Sequence, residues 1–231
     1  MLMHIDAFNV AKRNNYDCTF NEIYNNHEEV LLVDFGCGPG TIPLAIAERH
    51  SPKNGLNINY LGIDKEPEML RLAERFFQTS LFRNSLGISI SEDIIRVDNR
   101  KKPKKIIFVF SYLLSQPGVH TDLKNFITRI QGIMADHSTA EEFYLMYINK
   151  DYTGEEYVQD GKTKKAWYEF LNMLRSNHMV SNQLKDYSQR CDYRFRKFNN
   201  LDGNDIDQFG CSRPVYVKTF RLFKPQVNGY G

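Results

Sequence analysis

The sequence predicts a doubly wound α/β domain on a mostly parallel seven-stranded sheet, with an antiparallel strand pair at its C-terminal edge. Three observations predict it. An apolar run at 30–33 leads into a glycine-rich turn, and residues 42–47 follow at helical spacing. Apolar β-rich runs then alternate with helical patterns as far as Leu174, the order expected of strand–helix units whose strands lie parallel. Beyond that, two β-rich runs at 191–198 and 215–223 follow one another with no helix between them, which suits an antiparallel pair. At 231 residues the chain accommodates one such domain with ample core.

The turn reads Val33-Asp34-Phe35-Gly36-Cys37-Gly38-Pro39-Gly40-Thr41. Glycines at alternate positions let a backbone approach a ligand closely, and the helix behind them offers free amides to a polar group. A purely structural turn needs only one or two. A dinucleotide site asks for Gly-x-Gly-x-x-Gly, and the place of that third glycine holds Thr41. The absence of Gly-Lys-Ser/Thr excludes a nucleoside-triphosphate P-loop.

The stretch resembles the first motif of class I S-adenosylmethionine-dependent methyltransferases, an acidic residue followed by x-Gly-x-Gly-x-Gly. Here these are Asp34 with Gly36, Gly38 and Gly40. The resemblance implies a Rossmann-like methyltransferase fold, S-adenosyl-L-methionine as cofactor, and cofactor contacts from Asp34, Gly36, Cys37, Gly38 and Gly40. It extends over most of the chain in element order and does not specify the acceptor.

Residues 1–28 carry Ile5 and Phe8, then Phe20, Ile23 and Tyr24, at roughly helical intervals, broken by Asn14-Asn15. They read as an N-terminal helical segment on the core. The resemblance lets it cover the cofactor or shape the acceptor site; otherwise it only docks. The main domain is read over 29–224. Its first strand is expected at 29–35, its first helix at 41–49, and a loop at 50–57 with Ser51-Pro52 and Asn54-Gly55. The second strand, 58–64, closes on Asp64. A carboxylate there can accept both ribose hydroxyls of an adenosine; the competing role is a helix N-cap or turn residue.

Pro67 suits the first position of the next helix. Met69, Leu70, Ala73, Phe76 and Phe77 are expected to form its buried stripe. A third strand lies within 88–95, and the resemblance implies Asp93 for the adenine amino group. The basic run 100–105 reads as a solvated loop before strand four, opposite the ligand edge, with a long anionic partner as its functional alternative. Strand four, 106–110, is continuously apolar, as a central parallel strand should be.

After it come Ser111-Tyr112-Leu113-Leu114-Ser115-Gln116-Pro117. In the resembled superfamily this loop faces the transferred methyl and its acceptor. It has neither the Asn/Asp-Pro-Pro-Tyr of enzymes acting on base amines nor the Pro-Cys of those acting on pyrimidine carbon five. Ser111 is assigned to the cofactor, and Tyr112 and Gln116 are the candidate catalytic residues, expected to orient an acceptor. Packing is the alternative for Tyr112.

A helix over Leu123, Phe126, Ile127, Ile130 and Met134 is expected to be capped by Thr121. Strand five follows at 142–148. Residues 151–161, with Tyr152 and Tyr157, read as a lid or as an ordinary connection. Ala166, Trp167, Phe170, Leu171 and Leu174 mark the last helix. The run 191–198 places Arg194 and Arg196 on one face, 199–211 is a polar loop, and 225–231 reads as a tail.

Hydrophobic residues at 42% and charged residues at 25% are ordinary for a globular domain. A net charge of +2 gives no strong pull toward nucleic acid or membrane. Cys18, Cys37, Cys191 and Cys211 lie far apart, so no metal site is expected and reduced thiols in a cytoplasm are the simple reading. No run reaches the ~20 apolar residues of a membrane span.

The expected activity is methyl transfer from S-adenosylmethionine to a small-molecule or RNA acceptor, the two left undecided. A non-catalytic cofactor-binding or partner protein of the same fold is the alternative. In such transfers the sulfonium is already activated, so the protein mainly aligns the acceptor. A base is needed only for an acceptor protonated at working pH.

Overall fold

The computed structural model describes residues 30–50, 58–79, 82, 87–91, 102–150, 153–181, 189–194, 197–199, 205–207 and 212–224. The expected N-terminal segment 1–28, Asp93, Tyr152, Arg196 and the tail 225–231 lie outside them.

The central sheet has seven strands: β1 (Val30–Phe35), β2 (Asn59–Ile63), β3 (Gly87–Ser91), β4 (Lys105–Ser111), β5 (Glu142–Asn149), β8 (Gln189–Arg194) and β11 (Ser212–Leu222). Their order is β3-β2-β1-β4-β5-β11-β8. The first five are mutually parallel, and β11 runs antiparallel to both β5 and β8. β1 is buried along its whole length, and β4 up to Phe110, because both faces of the sheet are covered.

Alternation along β1 and β4 divides the interior into two layers. Leu31, Val33, Phe35, Phe108 and Phe110 pack with α3 (Leu123–Asp136) and α4 (Ala166–Ser176). Val30, Leu32, Ile107 and Val109 pack with Ile42, Ala45 and Ile46 of α1 (Thr41–His50) and Leu70 of α2 (Pro67–Phe77). Phe35 stacks on Phe110 at 4.8 Å between ring centres, which fixes the register of the two strands flanking the ligand edge. Trp167 and Tyr147 stack at 4.4 Å, and the buried Lys218 ammonium lies 4.4 Å from the Trp167 ring centre.

Four expectations are corrected. On α2, only Leu70 and Ala73 are buried and Phe77 is packed against the core, while Met69 and Phe76 are each 39% exposed. Positions 70, 73 and 77 form a single line, so α2 meets the core along a strip narrower than the five-residue stripe. The N-cap of α3 is Asp122, without a side-chain capping bond; the Thr121 hydroxyl instead donates to the Gly118 carbonyl at 2.8 Å. The run 191–198 belongs to two strands: β8 as far as Arg194, which lies opposite Ser212 at the start of β11, and β9 (Lys197–Asn199), which pairs with β10 (Asp205–Asp207) of the expected polar loop. Finally, Lys105 of the basic run is buried, with its ammonium 3.0 Å from Glu142 and beside the Tyr144 ring.

Candidate functional site

The sheet order reverses between β1 and β4, which lie side by side at the switch point where doubly wound folds bind ligands. The glycine loop leaves the carboxyl end of β1. The amides of Gly36 and Cys37 both donate to the Ile63 carbonyl, at 2.7 and 3.1 Å, clamping the loop to the end of β2. Gly36, Gly38 and Gly40 have φ of +68°, +53° and +77°. Their surroundings differ. A Cβ at Gly36 would stand 2.9 Å from Leu113 Cδ1, and one at Gly40 would stand 2.9 Å from the Phe77 ring. Among the described residues, a Cβ at Gly38 would meet nothing within 4 Å. Packing therefore explains two of the glycines. The open face lies at Gly38.

Gly38 donates its N–H to Asp64 Oδ2 at 2.8 Å, and Glu66 donates its N–H to Asp64 Oδ1 at 2.9 Å. Asp64 thus ties the glycine loop to the start of α2, which has no side-chain cap of its own. The sequence leaves a ribose ligand and a helix N-cap or turn residue as alternatives; the contact to the Glu66 amide two residues on is that of a turn residue, and the carboxylate oxygens retain accepting capacity beyond one bond each. An Asp64→Ala protein is expected to lose about 1–3 kcal/mol of stability, because two amides lose a charged acceptor. Chemical denaturation checks this.

Asp34 points into the α1–α2 layer and is 1% exposed. Its Oδ2 accepts the Tyr60 hydroxyl at 2.9 Å, while Oδ1 is buried with no hydrogen-bond partner among the described residues. Burial pushes the carboxyl up to about 7, the Asp64 charge adds to the rise, and the Tyr60 bond opposes it. Cys37 is also buried, and burial with the two nearby carboxylates pushes its thiol far above the ordinary range. Its sulfur sits where a Gly62 Cβ would be only 2.9 Å away and donates to the Gly38 carbonyl at 3.5 Å, so the thiol packs beneath the loop.

The segment after β4 lies beside this loop through Leu113. Tyr112 donates its amide to Ile148 O at 2.8 Å and has φ of +59°, uncommon for a residue with a side chain. Its ring packs partly against the α1–α2 layer. Ser111 is half-buried at the end of β4. Ser115 and Asn149 hydrogen-bond to each other, and Asn149 Nδ2 donates to the Tyr147 hydroxyl at 2.6 Å. Gln116 is exposed, with its amide 3.4 Å from the Tyr112 carbonyl. Two separate parts of the sequence, 34–40 and 111–116, are thus brought to one edge of the sheet.

That strand order, with the glycine loop at its switch point and one reversed strand between β5 and β8, decides the architecture. The fold is the Rossmann-like methyltransferase fold. No model of a known protein family matches the chain, and no curated protein matches it. Among solved structures it is similar to a precorrin-6y C5,15-methyltransferase from Geobacter metallireducens, with 12% identity, TM-score 0.45, and 90% of this chain and 86% of that one covered. It is similar to an rRNA methylase from Streptococcus thermophilus at 15% identity and TM-score 0.41, over 91% and 97% of the two chains. A SAM-dependent methyltransferase from Aquifex aeolicus gives 12% identity and TM-score 0.43, over 90% and 89%. The fold assignment rests on the strand order. No helix among the described residues is long and apolar enough to cross a membrane.

The methyltransferase fold also places residues that the sequence did not single out. The sequence of residues 151–161 suits a lid or a connection. They contain β6 (Glu156–Gln159), which with β7 (Lys162–Lys165) forms an antiparallel hairpin. The base of the hairpin is fastened: Glu155 donates its amide to Leu114 O at 2.7 Å, and the Thr153 and Glu155 carbonyls accept the Trp167 and Ala166 amides. The Glu155 carboxylate accepts the Gly118 amide at 2.6 Å and lies 3.2 Å from His120 Nδ1. Burial would raise this carboxyl, but the Gly118 and His120 bonds hold it below its ordinary value. His120 stacks on Tyr157 at 4.1 Å.

Proposed function

We propose that the protein binds S-adenosylmethionine at the glycine loop and transfers its methyl group to a small-molecule or RNA acceptor. The observation that carries this reading is the open backbone face at Gly38 beside the Asp64 carboxylate, which accepts the Gly38 amide. An anionic pyrophosphate would meet that carboxylate, whereas S-adenosylmethionine brings a sulfonium and an ammonium. Asp34, buried beneath the loop, is assigned to the site as its support and not as a direct contact. Asp64 remains our candidate for the ribose, and the 111–116 segment for orienting the acceptor.

The bound cofactor supplies a methyl group on a positively charged sulfur, already activated toward a nucleophile. The chain's part is alignment. Gly38 leaves room, Asp64 fixes the loop, and Tyr112 and Gln116 stand at the neighbouring strand end. We place the activity in the cytoplasm, where scattered cysteines stay reduced.

The test begins with calorimetry against S-adenosylhomocysteine, for which one site per chain is expected. Labelled-methyl assays on RNA and metabolite fractions then identify the acceptor. An RNA acceptor predicts an affinity that falls steeply as salt rises; RNA binding that is absent or flat in salt assigns a small molecule. A chain that binds no S-adenosylhomocysteine overturns the proposal, and one that binds it but labels nothing is a binding protein of this fold.

A further inference from the structure

We propose that His120 is the residue that takes the acceptor's proton, and that Glu155 positions it. The proposal deepens the methyl-transfer reading and rests on it. His120 and Glu155 are 35 residues apart and come from the segments leaving β4 and β5, two parallel neighbours. Both therefore stand at the carboxyl edge that carries the glycine loop. The link is direct: Leu113 abuts Gly36, and the next carbonyl, that of Leu114, accepts the Glu155 amide.

The arrangement is that of an oriented base. Glu155 is only 14% exposed in its side chain, and its Oε2 receives His120 Nδ1. Its other oxygen is fixed by the Gly118 amide. With Nδ1–H directed at the carboxylate, the neutral ring carries its lone pair on Nε2. Tyr157 stacks on the ring at an interplanar angle of 10°, which holds its plane. The His120 side chain is 34% exposed, so the ring is reachable while its orienting carboxylate is largely covered. A carboxylate serving only to cap the 3-10 turn Val119–Thr121 would need the amide bonds and not the ring contact.

The inferred chemistry narrows the acceptor atom to one that carries a proton when it binds, a hydroxyl or a protonated nitrogen. His120 Nε2 takes the acceptor's proton, the electron pair on the acceptor atom forms the new bond to the methyl carbon, and the carbon–sulfur pair stays on sulfur. The imidazolium so formed faces the Glu155 carboxylate, which stabilises it. A tertiary amine or thioether acceptor would need no such base.

The test uses the full chain and two readouts. Long-range nitrogen–proton NMR of ring-labelled histidine should show neutral His120 as the Nδ1–H tautomer, lost or mixed in Glu155→Gln. In the fraction that the parent protein labels, His120→Gln should reduce methyl incorporation by at least about 100-fold, with S-adenosylhomocysteine affinity unchanged. Melting curves confirm that both variants are folded. An Nε2–H tautomer in the parent, or undiminished labelling by folded His120→Gln, overturns the proposal. Failure to bind S-adenosylhomocysteine overturns the methyl-transfer reading instead, and calorimetry reports that separately.

Discussion

An Asp34→Asn protein is expected to be more stable than its parent at pH 8 and no more stable at pH 4. The carboxyl is buried beside Tyr60, and burial raises it from 3.8 to about 7. Between those values the folded chain keeps a proton that the unfolded chain has released. Stability from this group is therefore fully present below about pH 4 and drains away as pH rises toward 7. The loss amounts to about 4 kcal/mol at most. Asparagine removes the charge and can still accept from Tyr60, but it leaves a buried amide N–H group in place of the orphan oxygen. That costs about 1–3 kcal/mol, so the net gain at pH 8 should be about 1–3 kcal/mol. Denaturant titrations across pH 4–8 measure it, and a difference that does not change with pH would refute the assignment.

The glycines should separate binding from folding. Gly36→Ala and Gly40→Ala each press a methyl group to 2.9 Å from Leu113 or Phe77, so both should melt earlier than the parent. Gly38→Ala carries the left-handed backbone strain of about 1–2 kcal/mol but no collision. It should fold and yet bind S-adenosylhomocysteine at least about tenfold more weakly, or ~1.4 kcal/mol. Unchanged affinity in folded Gly38→Ala would move the cofactor off the loop.

Legibility in the sequence followed the range of the interactions. The turn from Asp34 to Gly40 was readable because its strand, glycines and helix are contiguous. The sheet edge was readable too, because two β-rich runs without a helix leave little choice but antiparallel pairing. Length of contact defeated the rest. Nothing near His120 marks it as a base; its carboxylate arrives from a hairpin one strand and one helix later. Lys105 looked like part of a solvated run, and only the parallel neighbour β5 brings Glu142 to it. Met69 and Phe76 looked buried because composition records apolarity, whereas exposure depends on how wide a surface the neighbours offer.

The packing around Trp167 has a practical corollary. It is the chain's one tryptophan, fully buried, with Tyr147 on its face and a lysine ammonium close by. Its backbone amide is held by Thr153, at the base of the hairpin that carries Glu155. The intrinsic fluorescence of this protein is therefore a single-site optical signal, free of averaging over several indoles. It reads the seam where α4, β11 and the hairpin meet, so a change in emission without loss of far-ultraviolet dichroism isolates opening of that seam from unfolding of the sheet.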